Sequence, residues 1–415
     1  MTLRRSMVAW GALLAGALAL AALSPTACSA GGDNADDDDG AGNSGAGGGL
    51  GIGGQNQGGN EACVAESFPG ELAPLDLYIM LDKSGSMDDS GKWANVTSAI
   101  QTFVNASESD GMGVGLQFFP VPPNPPFTLP WTCSDATDCG PNAIYGPCMQ
   151  AMCILQPQQL CCAGNMAPDT SCITADYSDA AVAIGELPGA ASGLLSAISA
   201  ESPEGDATPT LFAMEGAAAY ATQWAADHPT HLTYIVFATD GEPTGCTGPQ
   251  IANPVNTVDA AAAAAQAAAN GSPAVPTFVI GVGSELGALN QIAVAGGTNQ
   301  AYLVDVGNAT QQFMAALMEI RAMGVCVFQI PTPEGGQQVD YDRVNVALVD
   351  PDNPADRVTL AYVGDISGCH PTEGGWYYDN VAAPTKILLC PSSCEHVRMT
   401  DWNIDVELGC VTVTR

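Results

Sequence analysis

Leu75–Leu81 (LDLYIML), Val114–Phe119 (VGLQFF), Leu232–Ala238 (LTYIVFA) and Thr277–Val282 are short runs that are apolar almost throughout rather than at alternate positions. A strand of that kind is buried on both faces, which a mostly parallel sheet covered by helices on either side provides. The segments between the runs carry helical periodicity. Trp93, Val96, Ile100, Phe103 and Val104 share one face of Trp93–Asn105. Helical stretches follow at Ala190–Ala200, from Pro209 to about Ala226, at Ala-rich Val258–Ala269 and at Leu286–Ala295. Asn308 with Gln311 caps a last helix through Met323. Weaker strands fall at Ala181–Leu187 and Ala301–Val304. Strand and helix alternate, so the chain predicts an α/β fold built on a doubly wound, mostly parallel sheet.

Two segments break the alternation. Residues 131–172 are rich in Cys, Pro and Gly and hold seven cysteines, which marks a disulfide-stapled insertion. Residues 327–415 change period. Val344–Val349, Val358–Val363, Trp376–Tyr378, Ile387–Leu389 and Ile404–Val413 read as strands in a small β-rich region that carries Cys369, Cys390, Cys394 and Cys410.

Fifteen cysteines suit an oxidising envelope or exterior. The first 28 residues agree: Arg4 and Arg5 precede the apolar run Met7–Leu23, and small residues lead to Cys28. A bacterial lipoprotein signal looks like this, with Cys28 as the acylated first residue of the mature chain. Pro25 stands where such signals usually carry Leu, so ordinary secretion and an uncleaved anchor stay open. Residues 29–62 are Gly- and Asp-rich with few large apolar side chains, which predicts a flexible spacer. The formal net charge of −34 opposes binding to phosphate backbones, so nucleic acid is excluded as a partner class and cations are favoured.

The informative polar residues stand just past strand ends. Asp82-Lys83-Ser84-Gly85-Ser86 follows the first run, Thr239-Asp240-Gly241 follows Leu232–Ala238, and Ala207-Thr208-Pro209-Thr210 opens a helix between them. In a doubly wound sheet, ligands bind where the carboxyl ends of strands open into a crevice, and the tips of the first and fourth strands are neighbours there. Two carboxylates and three hydroxyls would converge, an all-oxygen set suited to Mg²⁺ foremost, or to Mn²⁺ or Ca²⁺. Such a set leaves a coordination position for an outside oxygen, which a partner's Asp or Glu would fill.

Asp82-x-Ser84-x-Ser86, Thr208 and Asp240-Gly241 resemble the metal-ion-dependent adhesion site of von Willebrand factor type A domains, over roughly Leu72 to Val325. The resemblance implies that Ser84, Ser86 and Thr208 contact the ion, while Asp82 and Asp240 act directly or through water. Thr210 competes with Thr208 for the threonine's role. The domain is expected over 63–326, with the insertion inside it. In some type A domains a disulfide joins the termini, which for this chain would pair Cys63 with Cys326. The four C-terminal cysteines are then expected to pair among themselves, and Cys246 to bond to the insertion and pin it beside the ion.

Other signals carry less. Gly281-Val282-Gly283 lacks the spacing of a nucleotide loop and reads as a strand-to-helix turn. His228, His231, His370 and His396 are scattered, as solvated loop histidines are. No serine-hydrolase element is present, and the chain is not expected to be an enzyme. The expected function is metal-dependent binding of a protein or glycan at the cell surface, on a lipid-anchored or secreted chain. The alternatives are an envelope scaffold that a metal stabilises, and a cysteine-rich inhibitor or enzyme.

Overall fold

The computed structural model describes residues 66–124, 170–205, 207–246, 256–283, 287–333, 337–400 and 402–414, with positions 134, 135, 138 and 148. The expected signal with Cys28, the spacer, Cys63 and most of the insertion lie outside the described residues. Among the described residues no helix is long and apolar enough to cross a membrane.

After a short strand Glu66–Pro69 (β1), the chain enters Leu75–Asp82 (β2), whose eight residues are all buried. Lys92–Val104 (α1) leads to Gly113–Phe119 (β3), and Val182–Glu186 (β4) follows the insertion. Next come Ala191–Ala200 (α2), Thr210–Asp227 (α3), Leu232–Thr239 (β5), Val258–Ala269 (α4) and Thr277–Val282 (β6). Leu289–Ala295 (α5), Tyr302–Val304 (β7) and Ala309–Met323 (α6) complete the layer.

The sheet order is β4-β3-β2-β5-β6-β7, parallel except for β4, which pairs antiparallel with β3. This is the doubly wound, mostly parallel α/β architecture that the alternation predicts. The first strand of the sheet sits inside it, between β3 and β5. Connections therefore leave in opposite directions from the β2–β5 boundary and open a crevice at their carboxyl ends.

Side chains of β2 alternate between two cores. Leu77, Ile79 and Leu81 pack with Val96, Ile100 and Phe103 of α1, Leu194 and Ile198 of α2, and Phe313 and Leu317 of α6. Tyr78 and Met80 face Leu211, Met214 and Ala217 of α3, Ala261 and Ala265 of α4, and Ile292 of α5. Burial on both faces is the physical reason the strand runs are continuously apolar.

The remainder of the chain forms two antiparallel sheets. Val327–Gln329 (β8), Val344–Val349 (β9), Arg357–Leu360 (β10), Trp376–Tyr378 (β11), Lys386–Leu389 (β12) and Asn403–Leu408 (β13) are joined in the orders β1-β13-β9-β10 and β11-β12-β8. Their shared core includes Phe328, Val346, Trp376, Ile387 and Val406. One helix, Pro391–Met399 (α7), has no counterpart in the sequence reading; a proline in its first turn, rather than an apolar stripe, starts it.

The disulfides correct two expectations. Cys326 bonds to Cys394, so it neither pairs with Cys63 nor leaves the C-terminal four to themselves. Cys326 ends the turn Gly324–Cys326 that follows α6, and α7 brings Cys394 to a Cα–Cα distance of 5.3 Å, within disulfide reach. Cys369–Cys390 is a pair within the C-terminal region, and Cys148 and Cys410 are also disulfide-bonded. Cys246 bonds to Cys172, the last residue of the insertion, as expected.

Candidate metal centre

Asp82 is the last residue of β2 and is fully buried. One carboxylate oxygen accepts the Ser84 backbone N–H at 2.7 Å, which folds the chain back after the strand. The other accepts the hydroxyl of Thr239, the last residue of β5, at 2.5 Å. Burial pushes the Asp82 carboxyl up to about 6; hydrogen bonds from Ser84 and Thr239 oppose the rise, and the Asp240 charge adds to it.

The loop past Asp82 is zipped to residues 201–205. Gly85 N–H donates to the Gly205 carbonyl at 3.0 Å, and Glu204 N–H to the Lys83 carbonyl at 2.8 Å. A Cβ on Gly85 would meet the Gly205 carbonyl oxygen at 2.9 Å, so only glycine permits this approach. The buried Lys83 ammonium bridges Glu201 at 2.7 Å and Glu204 at 2.9 Å. These contacts hold the segment that delivers Thr208.

Thr208 is fixed from the other side as well. Its N–H donates to the Thr244 hydroxyl at 2.9 Å, and Thr244 N–H returns a bond to its carbonyl at 3.1 Å. The buried Asn256 amide donates to the carbonyls of Thr208 and Thr244, both at 2.9 Å, and accepts the Leu211 N–H at 3.0 Å. The two threonines separate here. Thr210 donates its hydroxyl to the Thr208 carbonyl at 3.3 Å, whereas the Thr208 hydroxyl lies 4.0 Å from where a Cβ on Gly241 would stand. Thr208 is therefore the threonine beside the Asp240-Gly241 tip.

A hydrogen-bonded chain runs across the crevice. The Ser84 and Ser86 hydroxyls are 3.2 Å apart, and Ser86 donates to one Asp240 oxygen at 2.9 Å. The second Asp240 oxygen accepts the Lys92 ammonium at 2.7 Å, and the Asp240 side chain has no solvent exposure. Lys92 also donates to the Ser86 carbonyl at 3.3 Å. The structure thus gathers Asp82, Ser84, Ser86, Thr208 and Asp240 at the carboxyl edge of β2 and β5.

The donor chemistry fits a hard cation: every side chain is an oxygen donor, and both carboxylates are withdrawn from water. Among the described residues no group of three or more His, Cys, Asp or Glu is placed to hold a metal, so an ion at this edge depends on the hydroxyls. Lys83, Lys92, Thr239 and Asn256 carry much of the geometry, and the motif reading gave them no part. The lysines had a signal: the chain has only 10 Lys and Arg in 415 residues, and two of them, Lys83 and Lys92, lie between the end of β2 and the first residue of α1.

Two histidines depart from the solvated expectation. His231 meets the buried Asp76 carboxylate at 2.8 Å, and His228 stacks on Trp224 at 3.9 Å between ring centroids. They anchor the turn after α3, at the opposite edge of the sheet. Gly283 follows β6 with φ +140°, consistent with a turn.

No family model matches the chain, and no curated protein does. Among solved structures it is similar to proximal thread matrix protein 1 from the mussel byssus (12% identity, TM-score 0.34), over 63% of this chain and 50% of that one. It is similar to a von Willebrand factor type A protein from Catenulispora acidiphila (13% identity, TM-score 0.35), over 85% of this chain and 65% of that one. It is also similar to the manganese-loaded TRAP protein of Plasmodium vivax (14% identity, TM-score 0.35), over 61% and 78%. The chain thus spans half the length of the mussel protein and just under two thirds of the Catenulispora one.

Proposed function

We propose that this chain is a divalent-cation-dependent binding protein of the cell envelope or exterior, and not an enzyme. The observation that carries the reading is the pairing of two water-excluded carboxylates, Asp82 and Asp240, with the Ser84–Ser86 hydroxyl pair at the switch point of the sheet. Ser84, Ser86 and Thr208 would hold the ion directly, and Asp82 and Asp240 directly or through water. Mg²⁺ suits this set best, with Mn²⁺ and Ca²⁺ as further candidates. When bound, the ion supplies an electrophilic centre for an acidic oxygen of a protein or glycan partner.

The chain's own residues do the rest. Asp82 and Thr239 fix the two strand tips, Lys83 and Asn256 hold Thr208 in place, and the Cys172–Cys246 bond brings the end of the insertion to the same edge. Partner selection belongs to the insertion in this reading. Acylation at Cys28, with residues 29–62 as spacer, would tether the body to a membrane.

The test is a pull-down from envelope extracts with and without Mg²⁺, using the wild-type chain and Asp82→Ala. Capture should require Mg²⁺, vanish with EDTA and fail for the variant while its circular dichroism is unchanged. Capture that persists in chelator would defeat the proposal.

A further inference from the structure

Lys92 is placed where a cation gains nothing from its own helix. It is the first residue of α1, and a helix N-terminus carries partial positive charge, which disfavours an ammonium group. Basic residues are scarce in this chain, at 10 in 415. The nearby Lys83 is already paired with Glu201 and Glu204. Lys92 instead reaches across to Asp240, Nζ to carboxylate oxygen 2.7 Å, with 16% of its side chain exposed against none for Asp240. Ser86 already donates to the other Asp240 oxygen, so with the ammonium each oxygen of that carboxylate accepts a donor.

We propose that Lys92 is a built-in counter-cation that competes with the divalent ion for Asp240 and so sets the ion's affinity and selectivity. The inference rests on the metal reading of this site. An arriving ion either displaces the ammonium or binds against its charge, and both lower affinity relative to a site without it. Selectivity follows from valence. Na⁺ or K⁺ offers Asp240 the same single charge as an ammonium that is covalently held nearby at high effective concentration, so it gains nothing by exchange. A divalent ion brings twice the charge and can also engage Asp82 and the three hydroxyls.

The experiment is titration calorimetry of the full chain with Mg²⁺ in low and high NaCl, for wild type, Lys92→Met, Lys92→Gln and Lys92→Arg, alongside thermal unfolding with and without Mg²⁺. Both neutral variants should bind Mg²⁺ ~10-fold tighter or more, because a positive charge beside the ion has gone. Lys92→Arg, which keeps the charge, should stay near wild type. Added NaCl should weaken Mg²⁺ binding more in the neutral variants than in wild type, since Na⁺ can then occupy the carboxylate. The unfolding midpoint should rise more with Mg²⁺ in the neutral variants than in wild type. Equal or weaker Mg²⁺ binding by both neutral variants, with wild-type binding intact, overturns the role of Lys92 alone. Absence of Mg²⁺ uptake by wild type and neutral variants alike overturns the metal reading itself, and this inference with it.

Discussion

The hydroxyl of Thr239 donates to the carboxylate of Asp82 at 2.5 Å, joining the last residues of two strands that lie side by side but are 157 positions apart in the chain. Both residues are fully buried. The bond occupies the Asp82 oxygen that the Ser84 backbone does not, so the orientation of the carboxylate is set from two sides.

Thr239→Val keeps the shape of the side chain and removes that donor. A buried charged oxygen left without its partner costs about 1–3 kcal/mol. The variant should therefore show a lower urea midpoint with an unchanged denaturant slope, which would place the loss in stability rather than in the compactness of the unfolded chain. An unchanged midpoint would mean that water replaces the hydroxyl.

Lys83→Met leaves Glu201 and Glu204 without their cation. The lysine is buried, but Glu201 is a third exposed and Glu204 more than half, so solvent takes up much of the loss. The expected cost is about 1 kcal/mol. The larger effect should fall on Thr208, because the bridge fastens residues 201–205 to the loop past Asp82. Mg²⁺ affinity should drop several-fold, and amide exchange in residues 201–208 should quicken. Unchanged exchange there would remove Lys83 from any positioning role.

The order of sheet and helices was legible because burial on both faces leaves continuous apolar runs such as LTYIVFA, a pattern that needs no knowledge of neighbours. The adjacency of β2 and β5 followed from topology alone. What stayed hidden depends on distant partners. β1, Glu66–Pro69, is four mostly exposed residues whose strand character comes only from pairing with β13, with Glu66 opposite Leu408. The reversed direction of β4 likewise has no local signature. Cys326–Cys394 arises from the packing of α7 against the turn Gly324–Cys326 that follows α6, and α7 itself has few buried residues to give it a periodicity. At the site, the motif named the oxygen donors, whereas the lysines that neutralise and fasten them are set by three-dimensional charge pairing.

The two threonines at the start of α3 make a discriminating pair. Thr208→Val should reduce Mg²⁺ affinity ~10-fold or more while changing stability by no more than about 0.5 kcal/mol, because the backbone hydrogen bonds that hold this buried residue stay in place. Thr210→Val removes a hydroxyl that is fully buried and bonded to the Thr208 carbonyl. It should cost about 1 kcal/mol of stability and change Mg²⁺ affinity little. Calorimetry and urea denaturation on both variants check the assignment, and the reverse pattern would make Thr210 the ligand.

The disulfide Cys172–Cys246 closes a separation of 74 residues, from the end of the insertion to the loop that also carries Thr244. In the chain-entropy picture a loop of that size constrains the unfolded state by ~4 kcal/mol. Thr244 and Thr208 exchange backbone hydrogen bonds, so the crosslink lies only two residues from a contact that fixes a proposed ion ligand. The double variant Cys172→Ala/Cys246→Ala should therefore lose thermal stability by roughly 2–5 kcal/mol, the range seen for native disulfides. It should also lose Mg²⁺ affinity to a degree that Thr244→Val reproduces in part, because loss of the crosslink loosens the Thr208–Thr244 backbone pair and Thr244→Val removes the hydroxyl that accepts the Thr208 N–H. If the double variant unfolds at a lower temperature yet binds Mg²⁺ as wild type does, the crosslink serves the core alone. The insertion then has no hold on the ion, and partner selection would have to be sought elsewhere on this edge.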